Sequence, residues 1–135
     1  MEKVTRIGIS IEPELLEKFD QMIEQRHYTN RSEAVRDIIR KDLMVEEWEK
    51  GIGTVVGTIT IGYDYDAHNV VEKLAELQHA NHRLIHNSTL VRLDEHACIE
   101  AIIVQGSPFE IKQLVDKVQA IKGVKHAELA RCTMR

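Results

Sequence analysis

The sequence predicts an α+β protein in two parts, a strand–helix–helix unit followed by a βαββαβ unit. Three observations predict it. Lys3–Ile11 alternates apolar and polar residues and is followed by two segments of helical period. Glu49–Gly53 breaks that pattern with two glycines. Beyond the break, strands rich in β-branched residues alternate with two further helical segments.

With 135 residues, 43% hydrophobic and 30% charged, the chain is long enough for one ordinary domain or two small ones and is too apolar to be disordered. No apolar run approaches the roughly 20 residues of a membrane span. No charged-then-apolar leader opens the chain, so a cytoplasmic location is expected. Two cysteines, Cys98 and Cys132, are too few for a disulfide framework. The net charge of −4 argues against nonspecific coating of nucleic acid but leaves room for a local basic reading surface.

In Lys3–Ile11 (KVTRIGISI), Val4, Ile7, Ile9 and Ile11 form the apolar set, with Arg6, Gly8 and Ser10 interleaved. A single short strand cannot stand alone, and no second strand follows nearby. The simplest partner is the same strand of a second chain. Pro13 opens the next helix, which places Leu15, Leu16, Phe19, Met22 and Ile23 on one face. Asn30, with Glu33 three residues on, caps a second helix carrying Ala34, Val35, Ile38, Ile39 and Leu43 inward and continuing towards Trp48. A strand that pairs across a dimer, followed by two helices, is the ribbon-helix-helix pattern, whose ribbon lies in the DNA major groove. Arg6 and Ser10 are suited to base edges, and Gly8 to close backbone approach. Amides at the start of the second helix, with Arg31 and Ser32, suit phosphate. On a lone strand such polar residues are most often a solvated edge. Two capped helices behind it favour DNA.

This unit is expected to span residues 1–48, with a linker at 49–53 and a second domain at 54–135. The second domain reads as strand Thr54–Tyr63, helix Asn69–His79, strands Leu84–Leu93 and Ala97–Val104, a helix capped by Ser107-Pro108, and strand Val124–Cys132. Two tandem βαβ units make a ferredoxin-like sandwich with helices on one sheet face. A turn at Asp94–His96 pairs Arg92 with Cys98 and Leu90 with Glu100. The opposite set, Thr89, Val91 and Leu93 against Ala97, Ile99, Ala101 and Ile103, is more apolar. It is expected under the helices, which puts Arg92, Cys98 and Glu100 on the helix-free face.

The whole chain resembles the NikR-type nickel-responsive transcriptional regulators. The resemblance is carried by RIGISIEPELLEKFDQMIEQRHYTNRSEAVRDIIR, GTITIGYDYD, Gln78-His79, Cys98-Ile99-Glu100 and KGVKHAEL (Lys122–Leu129), in unbroken order. It implies a ribbon-helix-helix arm on an ACT-like regulatory domain, assembled as a homotetrameric dimer of dimers on double-stranded operator DNA. It also implies a square-planar Ni2+ site between subunits. One ligand comes from a helix end, matching His79. A His-x-His pair and a Cys six residues later complete the set, with a carboxylate behind them. The Cys matches Cys98 and the carboxylate matches Glu100. A weaker cation near DNA matches Glu33 and Asp37. The His-x-His positions hold Leu90 and Arg92 instead; leucine cannot coordinate and arginine stays protonated.

Three readings of that site are open. The chain binds DNA with no metal, Arg92 supplying the positive charge and reaching Glu100. Or another divalent metal is held by a rearranged set drawn from His79, His82, His86, His96 and Cys98. Or the helix-free face binds an anionic small molecule through Arg92. Arg92 as an ordinary paired strand residue, and Cys98 as a small buried hydrophobe, are the plain alternatives. An antitoxin-like module fits less well, because the C-terminal half is patterned as a compact domain. No nucleophile–base arrangement supports an enzyme built on Cys98 and His96.

Overall fold

The computed structural model describes residues 3–132. Eight elements follow one another: α1 (Pro13–Gln25), α2 (Arg31–Lys50), β1 (Val55–Asp64), α3 (Val70–Ala80), β2 (Ile85–Arg92), β3 (Ala97–Gly106), α4 (Pro108–Gln119) and β4 (Val124–Cys132). The chain clusters into two compact units, one ending at Ile39 and the other beginning at Arg40. The division falls inside α2, upstream of the glycine-bearing linker where the sequence places it. The cause is Trp48, which is fully buried in the core of the second unit with Met44 packed against that core.

In the first unit, residues 3–12 form neither helix nor strand, and Val4, Ile7 and Ile9 are 82%, 77% and 72% exposed. A strand forms only where a neighbour pairs with it, and no described strand pairs with this segment. α1 begins at Pro13 and stops where His27 takes a left-handed φ of 63°. Asn30 Oδ1 accepts the Glu33 amide at 2.8 Å, so Asn30 caps α2 as its position predicts. Ile23 and Ala34 are buried, whereas Leu15, Ile38 and Ile39 stay exposed.

The second unit is a four-stranded antiparallel sheet of order β2-β3-β1-β4. Alternate residues of β1 (Val55, Ile59, Ile61, Tyr63) share one core with Val70 and Leu74 of α3 and Ile111, Leu114 and Val118 of α4. Both helices therefore cover the same sheet face, as the two βαβ units require. Each of these fully buried aliphatic side chains contributes about 1.5–3 kcal/mol. Gly57 lies where a Cβ would fall 2.9 Å from Leu129 Cδ1 and 3.1 Å from the Ala130 carbonyl oxygen, so β1 and β4 approach closely there. Ser107 caps α4 by accepting the Glu110 amide at 3.2 Å. Among the described residues no helix is long and apolar enough to cross a membrane.

One expectation is reversed. Cys98, Glu100, Ile102 and Val104 of β3 point into the core, whereas Val91, Leu93, Ile99 and Ile103 are exposed. The helices cover the Cys98–Glu100 face, and the more apolar set lies on the helix-free face. The hairpin register itself is as expected, with Arg92 opposite Cys98 and Leu90 opposite Glu100. The reversal has a local cause in the partners of Glu100.

Candidate nucleic-acid interface and metal centre

In the first unit, Arg6, Gly8 and Ser10 are all exposed on the segment before α1. Arg31 and Ser32 open α2 and are exposed too. Arg31 is already held: its Nε and Nη2 donate to the two carboxylate oxygens of Asp20 at 2.9 and 2.8 Å. This hydrogen bond, with the charge behind it, lowers the Asp20 pKa. Sequence reasoning missed Asp20, whose only signal is an acidic residue facing the inter-helix turn. Tyr28 donates to Asp37, and Thr29 donates to Glu33, so both carboxylates proposed for a cation near DNA have hydroxyl partners in this chain.

In the second unit, Glu100 is 7% exposed and accepts from three elements. Tyr63 of β1 donates at 3.0 Å, Ser88 of β2 at 2.6 Å, and the Gln78 amide of α3 completes the set. A buried carboxylate is tolerated when its oxygens are this well satisfied. Burial and the adjacent Glu100 charge push the Tyr63 hydroxyl pKa up.

The four positions of the implied nickel site differ sharply. His79 is exposed in the last turn of α3, its ring centroid 6.1 Å from that of His82. Cys98 is a free thiol only 2% exposed. Leu90 is 45% exposed and offers no donor atom. Arg92 does not reach Glu100. Its guanidinium carbon sits 4.1 Å over the Tyr65 ring, and Nη2 donates to the Glu95 carbonyl at 3.1 Å. Tyr65 was another residue missed by sequence reasoning; aromatic character just past a strand end is a weak signal. This donor set does not fit a four-ligand square-planar ion within the chain.

The alternative histidine set is not brought together. His82 Nδ1 lies 3.0 Å from the His79 carbonyl, and His86 Nε2 lies 2.6 Å from Gln105 Oε1. Among the described residues, the His/Cys/Asp/Glu group with metal-compatible spacing is Asp64, Asp66 and His96, whose ligand atoms lie within 4.8 Å of one another. Its members already bond to one another: His96 Nδ1 is 2.7 Å from Asp66 Oδ2, and Asp64 accepts the Asp66 amide at 2.9 Å.

Comparison with known proteins accounts for this combination of units. Residues 5–43 match the ribbon-helix-helix protein family of copG type, and residues 56–132 match the NikR C-terminal nickel-binding domain. The chain is 47% identical to a protein of Thermococcus onnurineus over 97% of this chain and 95% of that one. It is 49% identical to one of Pyrococcus horikoshii over 94% and 92%, and 44% identical to one of Geobacter metallireducens over 98% and 96%. Each carries the name "Putative nickel-responsive regulator". A solved structure of an uncharacterized protein from Thermotoga maritima matches 60% of this chain and all of its own, at a TM-score of 0.53 and 20% identity, a likeness of fold alone. With both halves matched and relatives aligned end to end, the chain belongs to the NikR family of nickel-responsive regulators, DNA-binding transcription factors and not enzymes.

Proposed function

We propose that this chain is a sequence-specific regulator that binds operator DNA without the family's nickel switch. The observation that supports it most is the hairpin register. It sets Leu90 opposite Glu100 and Arg92 opposite Cys98, where a metal-binding relative needs donor atoms. A side chain with no lone pair and one that is always protonated cannot hold Ni2+.

The chain acts in the cytoplasm as a homotetramer, a dimer of dimers. Exposed Ile7 and Ile9 supply the apolar side of a ribbon that a second chain completes. Arg6 and Ser10 read base edges in the major groove, Gly8 lets the backbone approach, and Arg31 and Ser32 touch phosphates. Arg31 reaches phosphate with the guanidinium edge that Asp20 leaves open.

The test is binding to duplexes that the wild-type chain selects from a random-sequence pool, measured with chelator, with nickel and with other divalent metals. Equal affinity with chelator and with nickel is expected. Strict dependence on added nickel would overturn the reading. Activation by another metal alone would point to a rearranged donor set. Arg6→Ala is expected to lose discrimination at one base position, worth about 1–3 kcal/mol.

A further inference from the structure

The cation at position 92 has a built partner. The sheet order is β2-β3-β1-β4, so Arg92 of β2, Cys98 of β3 and Tyr63 of β1 form one row across three strands. Arg92 reaches past that row to Tyr65, just beyond the end of β1, and stacks over its ring at 4.1 Å. Two further ties join the same two segments. The Tyr65 amide donates to the His96 carbonyl at 2.6 Å, carrying the β1–β3 ladder past the Asp64–Ala97 pair. His96 meets Asp66 at 2.7 Å. Arg92 also donates to the Glu95 carbonyl at 3.1 Å, which draws the turn towards the stacked guanidinium. Asp94 Oδ1 accepts the amides of His96 and Ala97, both at 2.8 Å, and rigidifies the turn itself.

We propose that Arg92 stacked on Tyr65 is an internal clasp that holds the regulatory domain in its DNA-competent conformation without a ligand, Tyr65 acting as the positioning residue for the guanidinium. The proposal rests on the metal-independent reading above and names how that independence is achieved. A bound ligand favours a conformation only when present and only through its differential contacts. A covalently attached cation is present at all times. The stack crosses β3 from β2 to the end of β1, so it joins parts of the sheet that are not neighbours in the ladder. Arg92 lies on the row of Cys98, whose thiol is buried.

The test uses full-length Arg92→Met, Tyr65→Leu and Tyr65→Phe. DNA affinity is measured in chelator on the duplexes selected by the wild type, and hydrogen exchange is read at the Tyr65 and Leu93 amides. Arg92→Met and Tyr65→Leu are expected to speed exchange at the Tyr65 amide and to weaken DNA binding by about two- to fivefold. Tyr65→Phe keeps the aromatic face and is expected to match wild type in both. Wild-type DNA affinity in Arg92→Met overturns the clasp, as does faster exchange with no loss of DNA binding, the result a merely structural contact would give. Failure of the wild type itself to bind in chelator overturns the metal-independent reading instead, so the two failures are distinguishable.

Discussion

Glu100 is a charged residue inside an apolar core, and three donors from three different elements explain it. Tyr63→Phe removes one of them and is expected to lower stability by about 1 kcal/mol in urea unfolding. Glu100→Ala leaves the buried Tyr63 hydroxyl without its acceptor and is expected to cost about 1–3 kcal/mol. In the DNA-binding unit, Arg31 lowers the Asp20 pKa below its ordinary 3.8 by a direct hydrogen bond. Because the folded value is the lower one, the pair's contribution is complete above the unfolded value and is lost as pH falls through the folded value. An NMR titration of the Asp20 carboxyl is expected to show a midpoint below 3.8 that rises to the ordinary value in Arg31→Gln. An unchanged midpoint would mean that the pair does not persist in solution.

At the scale of elements, the β2–β3 hairpin shows what local chemistry fixes and what it leaves free. The turn residues Asp94–His96 are legible in the sequence, and the register they imply is the one observed. The direction in which the hairpin faces is not legible from the turn. That direction buries the Cys98 thiol, whereas Cys132 on β4 is exposed. A disulfide exchange reagent is expected to modify Cys132 promptly and Cys98 only on unfolding, because attack requires access to the thiolate. Prompt reaction of two thiols per chain would contradict the assigned face. Arg92 explains a second local outcome. Its guanidinium meets an aromatic face beside it, and Glu100 has its own neutral donors.

For the molecule as a whole, the surfaces left bare are informative. Val91, Leu93, Ile99 and Ile103 make an exposed apolar set on the helix-free sheet face. Apolar residues contiguous on one face mark an interaction surface more often than an ordinary exterior. In the proposed tetramer a second copy covers them. Ile99→Lys with Ile103→Lys is expected to shift sedimentation from tetramer to dimer while far-ultraviolet circular dichroism stays native. The ribbon residues lie in the other unit, so the dimer survives. A tetramer that persists would place assembly on another surface. DNA binding by the assembly is expected to fall steeply with salt, since phosphate contacts release counterions.

The sequence by itself determined the order and type of all the elements except the opening strand, the capping residues Asn30 and Ser107, the hairpin turn and its register. These follow from periods of 2 and 3.6 residues and from turn and cap chemistry, which act over a few neighbours. It also carried the resemblance to nickel-responsive regulators and the departure at Leu90 and Arg92. Three matters were decided only by the tertiary structure. Lys3–Ile11 alternates as a strand should, yet it joins no strand among the described residues. Arg31 meets Asp20 because two helices turn back on one another. The two faces of β3, Cys98-Glu100-Ile102-Val104 and Ala97-Ile99-Ala101-Ile103, are both largely apolar, so alternation alone cannot say which one the helices cover. A carboxylate on the first set argued for solvent, because burying an unpaired one is costly. Tyr63, Gln78 and Ser88 remove that cost, and only the folded chain brings them to Glu100.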